Sequence, residues 1–501
     1  MSDKDAMGIC PDVLHMSQAT ETVLDAQYEA VIDEEVRPAV DGETFTTPDP
    51  ATGEPLAEIA AGKAADIDAA VSAATAAFDE WQALSPQERG RLLNNLASAI
   101  RDDADRLARL ETLDNGKPIS HAKADVETCA RYFEYYAGIA DKIHGDSIPL
   151  TQEYADYTIR EPLGVTAQII PWNLPTNIFG RSVAPALATG NVAVVKPAEQ
   201  TSITAIEIAK LALGVGFPSG VLNVVPGLGG EAGAALSDHE DVDAISFTGS
   251  VPTGIEVGKT AMDNVTNVHL ELGGKSPNVV FPDTDWETAL DSTISSIFAN
   301  AGQVCSAGSR LLVHEDIHDE FVADLAERAE SLSVGPGIDD NDMGPLVSPE
   351  HFEKVTDYLE LGREEVGEPV TGGNAVDRDG YFVEPTIFDN VDNDMRIAQE
   401  EIFGPVLSVI EFSDEDEAIE IANNVDYGLV AGIHTENVGR AHRFARDVDA
   451  GQIYINEWFA GGEETPFGGF KQSGFGREKG LEAVQSYTQV KNVCANIERR
   501  I

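Results

Sequence analysis

The sequence predicts an α/β protein in which a doubly wound parallel sheet is followed by a second α/β unit. Its 501 residues are too many for one ordinary domain and suit roughly two or three. An apolar share of 42% and a charged share of 24% are typical of a globular chain with a core. From residue 164 onward, short apolar runs alternate with stretches of helical periodicity, which is the pattern of repeated strand–helix–strand units.

The first part of the chain predicts helices between an arm and a hairpin. Residues 1–45 are acidic and weakly patterned, and they predict an extended or partly ordered arm. Apolar residues recur at helical spacing over 64–84, and a second helical pattern follows Pro86. The alternating segment 145–162 predicts a protruding hairpin.

The doubly wound sheet is predicted from four short apolar runs. The run from residue 191 to residue 195 is continuous, as expected of a strand buried on both faces. The predicted strands are 164–170, 191–195, 221–225 and 244–247, with a helix over 201–214 between the second and the third. A further alternating block over about 276–406 predicts the second α/β unit.

The net charge of the sequence predicts the character of the protein surface. There are 87 Asp and Glu against 33 Lys and Arg, so the formal net charge is −54. Such a surface repels nucleic acid and anionic lipid, and we expect neither as a partner. A disordered acidic chain is the alternative, but the acidic residues are spread through apolar-periodic segments. We therefore expect a folded, halophile-type protein whose self-repulsion is screened by high salt.

The remaining composition favours a cytoplasmic protein without a metal. No run of 18 apolar residues occurs, so no membrane-spanning helix is expected. The first residues lack a basic stretch followed by an apolar one, so no secretory signal is expected. The 4 cysteines are too scattered for a disulfide framework or a zinc cluster.

Seven short motifs occur in a definite order along the chain. They are Pro171-Trp172-Asn173, Lys196-Pro197-Ala198-Glu199, Phe247-Thr248-Gly249-Ser250, Glu271-Leu272-Gly273-Gly274-Lys275, Gly302-Gln303-Val304-Cys305, Glu401-Ile402-Phe403-Gly404-Pro405 and Pro466-Phe467-Gly468-Gly469. In this order and spacing the chain resembles the NAD(P)-dependent aldehyde dehydrogenase superfamily, from about residue 45 to its end. The acidic composition would make it a halophile-type member.

The resemblance implies an architecture and an assembly. It implies an aldehyde dehydrogenase-like α/β fold, with a Rossmann-type cofactor domain, a second α/β catalytic domain and a small β oligomerisation element. The implied boundaries are 1–142 and 163–273 for the NAD-binding domain, 274–480 for the catalytic domain, and 143–162 and 481–501 for the oligomerisation element. A homodimer or homotetramer is implied, in which the C-terminal strand pairs with a partner's sheet.

Three residues match the family's catalytic positions. Cys305 matches the nucleophile, whose thiolate attacks an aldehyde carbon to give a thiohemiacetal and then a thioester. Asn173 matches the residue that binds the oxyanion beside the backbone N–H of Cys305. Glu271 matches the general base that activates water to hydrolyse the thioester, and burial would raise its pKa as a base requires. We interpret Cys129, which lies in a helical pattern, as a small core residue.

A second group matches positions that hold NAD, and no metal is implied. Glu199 would accept hydrogen bonds from the adenosine ribose and repel a 2′-phosphate, so NAD is favoured over NADP. Gly249 and Ser250 match the helix start under the pyrophosphate, and Gly254 allows close approach. The residues matched to cofactor contacts are Trp172, Lys196, Glu199, Gly249, Ser250, Gly254, Glu401 and Phe403.

The substrate side is less defined by sequence. Arg181 matches a position in the family's substrate tunnel and could pair with a carboxylate or a hydroxyl, as for a lactaldehyde or a semialdehyde. Phe467, Trp458 and Phe459 would supply the apolar wall. Betaine aldehyde is disfavoured, because the aromatic cage for a quaternary ammonium is incomplete. We expect a small aliphatic or polar aldehyde.

These residues together predict NAD-dependent oxidation of an aldehyde to the carboxylic acid. One alternative is a catalytically inactive NAD-binding member with a structural role, but such a protein need not keep Cys305, Glu271 and Asn173. Another is a cysteine hydrolase, which would not need the dinucleotide positions.

The charge of −54 predicts a dependence of folding on salt. We expect far-ultraviolet circular dichroism to show loss of structure when molar potassium chloride is dialysed away, because surface repulsion is then unscreened. A spectrum and a melting temperature that are equal in dilute buffer and molar salt would contradict the halophile interpretation.

Overall fold

The computed structural model describes residues 23–498. In chain order the strands are β1 Gln27–Tyr28, β2 Ala30–Ile32, β3 Glu35–Arg37, β4 Thr44–Pro48, β5 Pro55–Ala60, β6 Ser147–Ile148, β7 Tyr154–Pro162, β8 Val165–Ile170, β9 Val192–Pro197, β10 Leu222–Val224, β11 Ala244–Thr248, β12 Asn267–Glu271, β13 Pro277–Val280, β14 Arg310–His314, β15 Thr386–Phe388, β16 Val406–Phe412, β17 Tyr427–Gly428, β18 Val430–His434, β19 Gln452–Ile455, β20 Phe470–Lys471, β21 Gly474–Phe475 and β22 Thr488–Asn496.

The α-helices lie between these strands. In chain order they are α1 Ala64–Ala83, α2 Pro86–Asp102, α3 Ala104–Asn115, α4 Ile119–Ile139, α5 Pro175–Ala188, α6 Ile203–Gly214, α7 Ala234–Ser237, α8 Val251–Asp263, α9 Trp286–Phe298, α10 His318–Glu330, α11 Pro349–Glu365, α12 Arg396–Gln399, α13 Glu415–Asn423, α14 Val438–Asp447 and α15 Glu482–Ser486.

The larger sheet has eight strands in the order β21-β12-β11-β8-β9-β10-β2-β3. The five strands from β12 to β10 are parallel, and the strands at both edges are antiparallel to their neighbours. The chain runs from β8 outward to β10 and then returns to place β11 on the other side of β8. The strand order therefore reverses between β8 and β11, which is where open α/β sheets bind ligands.

Local sequence explains why these elements form. Every residue of β9 is buried, so its unbroken apolar run fits a central strand covered on both faces. Helix α2 begins with a capping box: Ser85 Oγ accepts from the amide of Glu88, and the Glu88 carboxylate accepts from the amide of Ser85. Pro86 suits the first helical turn because its missing N–H would have no partner there.

The second sheet has six strands in the order β15-β16-β14-β13-β18-β19, and all its pairs are parallel. It has its own core of buried aliphatic and aromatic side chains. A third, antiparallel sheet joins β6, β7 and β22.

The predicted α/β class with two such units is confirmed by this architecture. The four predicted strands and the helices predicted over 64–84 and 201–214 agree with the observed elements to within about two residues, and the helix predicted after Pro86 is also present. Of the predicted arm, residues 1–22 lie outside the described residues, whereas β2 and β3 add two strands to an edge of the larger sheet. The domain boundaries stay a prediction, and β21, assigned to the catalytic domain, pairs with β12 of the larger sheet.

Within residues 23–498, none of the helices combines the length and the apolar character needed to cross a bilayer.

Candidate active site

The predicted catalytic and cofactor residues of the first half follow the carboxyl ends of adjacent parallel strands. Asn173 follows β8, Lys196 lies at the end of β9, Gly249 and Ser250 follow β11, and Glu271 ends β12. The backbone N–H of Gly249 donates to the carbonyl of Glu271 at 3.0 Å, which ties two of these strand ends together. Parallel pairing thus brings residues that are far apart in sequence to one edge of the sheet.

The chain approaches Cys305 through a turn of unusual backbone conformation. Asn300, Ala301 and Gly302 all have left-handed dihedrals, with φ of 51°, 54° and 73°. A Cβ at Gly302 would collide with the carbonyl of Gly404, so only glycine fits there. Two consecutive non-glycine residues with positive φ are costly, and such strain persists only where surrounding contacts hold it.

Hydrogen bonds from side-chain amides hold this turn. Asn300 Nδ2 donates to the carbonyl of Asn173 at 3.1 Å, and Gln303 Nε2 donates to the carbonyl of Asn300 at 3.0 Å. Gln303 Oε1 accepts from the amide of Val347 at 3.0 Å. The segment before Cys305 is therefore fixed both to the β8 loop and to the second α/β unit.

Cys305 lines two cavities. The substrate-side cavity, of about 500 Å³, is lined by Cys305 together with Leu174, Arg181, Phe459 and Phe467 among others. The cofactor-side cavity, of about 230 Å³, is lined by Cys305 with Trp172, Asn173, Gly249, Ser250, Glu271, Glu401 and Phe403 among others. The thiol thus lies where the two cavities meet, and a group bound on either side can reach it.

The environment of Cys305 keeps its thiol neutral. Burial raises the pKa of the Cys305 thiol to about 12, because the thiolate would lose its hydration. The positive charge of Arg181 opposes this shift, whereas the carboxylates of Glu271 and Glu401 add to it. Formation of the nucleophilic thiolate near neutral pH therefore requires a base or a bound group that changes this environment.

Glu271 is a buried carboxyl beside the thiol. Its Oε1 lies 3.1 Å from His269 Nε2, and its Oε2 has no hydrogen-bond partner among the described residues. Burial raises the pKa of Glu271, and the hydrogen bond from His269 only partly opposes this. Glu271 thus combines a free acceptor oxygen with the raised pKa that general-base catalysis requires.

Asn173 is buried and faces the cofactor-side cavity. Its Nδ2 donates to the carbonyl of Gln303 at 2.9 Å, which uses one of the two amide hydrogens. The second hydrogen can therefore donate to a group bound in the cofactor-side cavity, and the hydrogen bond to Gln303 sets the orientation of the amide.

Two predicted cofactor residues come from the second α/β unit. Glu401 Oε1 accepts from the amide of Gly274 at 2.9 Å, and a Cβ at Gly273 would collide with the Glu401 carboxylate. Phe403 has a φ of 63°, and its carbonyl lies 2.7 Å from His351 Nε2. Burial lowers the pKa of His351 to about 4, so the ring is neutral at neutral pH and its Nε2–H donates to this carbonyl. His351 therefore holds the strained Phe403 in place.

Helix α8 begins at the same edge of the sheet. Its N-cap is Ser250, whose Oγ accepts from the amide of Thr253. A Cβ at Gly249 would approach the ring of Phe247 to 2.6 Å, and one at Gly254 would collide with Leu272. Small residues are thus required where the strand end, the helix and the cavity meet.

Lys196 and Glu199 form an ion pair, and neither residue lines the cofactor-side cavity. Lys196 Nζ lies 3.0 Å from Glu199 Oε2, and the Lys196 side chain is buried. Burial opposes ionisation of Glu199, but Lys196 and the amide of Gly229 lower the pKa of Glu199 below its usual value. The carboxylate is therefore charged at neutral pH and positioned at the end of β9.

The donors and acceptors at this edge fit a dinucleotide. The amino-terminus of α8 suits a pyrophosphate, and the ionised Glu199 suits the hydroxyls of a ribose. Gly249 and Gly254 are required here by internal packing, because a Cβ at either would meet the side chain of Phe247 or Leu272. Among the residues that the structure describes, no three His, Cys, Asp or Glu side chains are grouped so as to hold a metal ion.

The predicted substrate residues differ in their positions. Phe459 and Phe467 line the substrate-side cavity. Trp458 does not line this cavity. Its Nε1–H donates to the carbonyl of Ser306 at 3.0 Å, which gives the buried indole N–H the acceptor that it needs. Trp458 therefore supports the segment after Cys305 from behind, and Tyr454 lines the cavity on that side.

Arg181 lines the substrate-side cavity but is already paired within the protein. Its guanidinium forms a buried ion pair with Glu478, and its Cζ lies 5.1 Å from the ring centre of Phe467. Arg181 Nη2 has no hydrogen-bond partner among the described residues, so the expectation that Arg181 could pair with a carboxylate or a hydroxyl of the substrate stays a prediction. The partner could not be anticipated, because Glu478 is distant in sequence and comes close only through the fold.

Several residues of the site were not predicted from the sequence. Lys117, Asp125, Tyr132 and Lys479 line the substrate-side cavity, and His351 and Lys354 line the cofactor-side cavity. His269 could have been found, because strand alternation places residues two apart on one face. The others lie on helices or loops whose local pattern does not indicate a site.

Comparison with known proteins shows which family the chain belongs to. The sequence model of the aldehyde dehydrogenase family matches residues 37–493. The chain belongs to the aldehyde dehydrogenase family. It is 47% identical over 464 residues to hydroxyisobutyraldehyde dehydrogenase of Mycolicibacterium austroafricanum, covering 92% of each chain. It is 44% identical over 476 residues to mitochondrial aldehyde dehydrogenase of Homo sapiens, covering 94% of this chain and 92% of that one.

Solved aldehyde dehydrogenase structures share the fold over nearly the whole chain. The NAD⁺ complex of aldehyde dehydrogenase from Bacillus cereus superposes with a TM-score of 0.94 at 43% identity, covering 98% of this chain and 99% of that one. Betaine aldehyde dehydrogenase of Staphylococcus aureus, in complex with NAD⁺, has a TM-score of 0.94 at 39% identity, with coverage of 97% and 98%. The predicted family and fold are therefore confirmed.

The raised pKa values of Cys305 and Glu271 predict how activity depends on pH. Glu271 accepts a proton only as the carboxylate, so activity falls as the pH drops through its raised pKa, and it rises towards alkaline pH. Glu271→Gln should lower acid formation by roughly 100-fold or more and abolish this acid limb. Initial rates of the two proteins from about pH 5 to about pH 10 test this. An acid limb that is the same in Glu271→Gln would assign it to another group.

Proposed function

We propose that this chain oxidises an aldehyde to the carboxylic acid with NAD as the hydride acceptor. The observation that supports this best is the position of Cys305, which lines both a cavity suited to an aldehyde and a cavity suited to a dinucleotide. A hydrolase would need only the first cavity. A structural, inactive protein would not need a buried base that shares a cavity with a thiol.

Each of the three catalytic groups has one task in this proposal. A bound water takes the proton of the Cys305 thiol, and the sulfur attacks the aldehyde carbon to give a thiohemiacetal. Asn173 Nδ2 and the backbone N–H of Cys305 donate to the developing oxyanion. Loss of one such donor costs roughly 100- to 1000-fold in turnover in other enzymes.

Bound NAD would supply the acceptor for the hydride that the thiohemiacetal carbon must lose. The residues that would hold it are Trp172, Lys196, Glu199, Gly249, Ser250, Gly254, Glu401 and Phe403. The resulting thioester on Cys305 is hydrolysed by a water from which Glu271 removes a proton. The free Oε2 of Glu271 can accept that proton.

The polarity of the substrate-side cavity favours a small aldehyde that carries a hydroxyl rather than a carboxylate. The ion pair between Arg181 and Glu478 makes the inner wall polar but close to neutral. Phe459 and Phe467 add apolar surface on which a short alkyl group can pack. The relative named hydroxyisobutyraldehyde dehydrogenase supports this class, and the neighbour named betaine aldehyde dehydrogenase makes a cationic aldehyde the second candidate.

We also propose that the chain forms a homodimer or homotetramer through the sheet of β6, β7 and β22. Tyr154, Tyr157, Ile159 and Val490 of this sheet expose between 36% and 57% of their surface. Apolar side chains grouped on an exposed sheet are typical of a surface that another subunit covers.

The polar, neutral inner wall predicts an order of substrates. In molar potassium chloride with NAD⁺, we expect kcat/KM to be higher for lactaldehyde and propionaldehyde than for succinic semialdehyde and betaine aldehyde. The rate of NADH formation, followed by absorbance at about 340 nm, measures this order of substrates, and Cys305→Ala is the control. Turnover that survives in Cys305→Ala would contradict the mechanism, and no turnover on any aldehyde despite NAD⁺ binding would favour the inactive member. Preference for succinic semialdehyde would contradict the substrate class.

The charge of Glu199 predicts a preference for NAD over NADP. Two like charges about 4 Å apart in water repel by about 1 kcal/mol, and by more near a protein surface. Glu199→Gln should therefore raise the ratio of kcat/KM for NADP⁺ to that for NAD⁺ by roughly tenfold. Lys210→Gln, a change of charge on the neighbouring helix α6, is the control and should leave the ratio unchanged. An unchanged ratio in Glu199→Gln would place the 2′-hydroxyl elsewhere.

A further inference from the structure

Of the residues that the structure describes, two lysines line the substrate-side cavity, and only one of them has a partner. Lys117 Nζ lies 2.7 Å from the carboxylate of Glu111 and 2.6 Å from that of Asp125. Burial disfavours the Lys117 ammonium, but these two carboxylates raise its pKa above the ordinary value. Lys479 also lines the cavity, but its amine makes no hydrogen bond or ion pair within residues 23–498. Lys479 therefore offers the cavity an amine without a partner.

Three carboxylates influence the charge of Lys479 without binding it. They are Glu463, Glu464 and Glu478. Arg131 lies 3.6 Å from the first and 3.2 Å from the second, and Arg181 pairs with the third. Because an arginine holds each of these carboxylates, the side chain of Lys479 has no close counter-ion.

A turn of left-handed backbone presents Lys479 to the cavity. Lys479 has a φ of 60°, which is uncommon for a residue with a side chain, and Gly480 continues the turn with a φ of 57°. The amide of Gly480 donates to the carbonyl of Glu463 at 2.7 Å, and Tyr136 Oη donates to the carbonyl of Gly480 at 3.0 Å. These hydrogen bonds hold the turn against helix α4 and the loop after β19, so the strained backbone keeps Lys479 at the cavity wall.

The surroundings of Lys479 favour its neutral amine. Burial and the positive charge of Arg181 lower the pKa of Lys479 to about 8, although the three carboxylates oppose this shift. A lysine is a nucleophile only without its proton, and burial next to another cation is a general way to activate one. Near pH 8, about half of the Lys479 amines are therefore neutral.

We propose that Lys479 is a covalent binding site for aldehydes, where its amine forms a reversible imine with an aldehyde in the substrate-side cavity. The proposal goes beyond the proposed function, since it uses that cavity but no step of the oxidation at Cys305. An alkyl group carried by Lys479 occupies part of the about 500 Å³ that the aldehyde at Cys305 also uses, so excess aldehyde inhibits the oxidation.

The imine forms without oxidation or reduction. The lone pair of Lys479 Nζ forms a bond to the aldehyde carbon, and one proton moves from the nitrogen to the former carbonyl oxygen to give a carbinolamine. This oxygen then leaves as water together with the second proton of the nitrogen, and a C=N double bond remains. Addition of water reverses both steps, so the amine is regenerated and no further reactant is consumed.

Reductive trapping tests the site on the wild-type protein. The protein in molar potassium chloride is mixed with propionaldehyde and sodium cyanoborohydride without NAD, so any imine becomes a stable propyl-lysine while no aldehyde is oxidised. Peptide mass mapping gives the trapping rate at each lysine. The reference is Lys123 on helix α4, whose side chain is 55% exposed.

We expect Lys479 to be trapped faster than Lys123 by roughly tenfold or more at about pH 8, because lysines of ordinary pKa are then almost wholly protonated. Lys117 should stay unmodified although it lines the same cavity, because its two ion pairs hold the ammonium form.

A second measurement connects the site with the oxidation. At the propionaldehyde concentration that gives half of the maximal trapping rate, about half of the Lys479 sites are occupied. With NAD⁺ present, NADH formation by the wild-type protein should there be roughly twofold slower than the rate extrapolated from lower concentrations. Lys479→Arg keeps the positive charge but forms no imine, so its rate should not decline. Lys123→Arg is the matched control and should decline as the wild-type protein does.

The outcomes are distinct. Trapping at Lys479 that is no faster than at Lys123 would overturn the proposal. A decline of equal depth in Lys479→Arg, or no decline in the wild-type protein, would overturn the inhibitory effect of the site. Trapping takes place without NAD and does not depend on the oxidation, whereas NADH formation at low propionaldehyde reports on the proposed function separately.

Discussion

The hydrogen bonds among Asn173, Asn300 and Gln303 are the constraint on which the rest of the site depends. Asn173 belongs to the loop after β8 of the larger sheet, whereas Asn300 and Gln303 precede β14 of the smaller sheet. Each residue uses a side-chain amide to bind a backbone carbonyl of another in the group. Because these hydrogen bonds are short and directional, they fix the loop of one unit against the loop of the other. The thiol that follows is thereby placed at the junction of two cavities.

The strained conformations of the site are explained by the same constraint. The left-handed turn before Cys305 and the positive φ of Phe403 would be unfavourable in an isolated loop. Asn300 and His351 compensate by holding the affected backbone with hydrogen bonds. Strain of this kind is tolerable because the surrounding packing cannot relax it, and it keeps the thiol and the phenyl ring in fixed orientations before any ligand binds.

Much of this arrangement can be predicted from local sequence, and some of it cannot be predicted in that way. Continuous apolar runs predict the central strands because a strand covered on both faces has no polar side, and the order of motifs predicts which loops meet. The partner of Arg181 is Glu478, and no local pattern relates two residues that far apart. The position of Trp458 also depends on a distant acceptor, the carbonyl of Ser306. His269 is the intermediate case, since alternation along β12 places it beside Glu271 but does not reveal that its ring is buried.

Charged groups are arranged differently at the surface and in the interior of this protein. Surface carboxylates, which are mostly unpaired at a net charge of −54, repel one another over distances that salt can screen. Four side chains in the interior lie next to one another and interact over short distances that exclude salt. They are Arg181, Glu478, His269 and Glu271. Each of these groups would be costly to bury alone, but together they compensate one another. Salt can therefore change the stability of the protein while the electrostatics around the thiol stay the same, so the acidic surface can vary independently of the catalytic site.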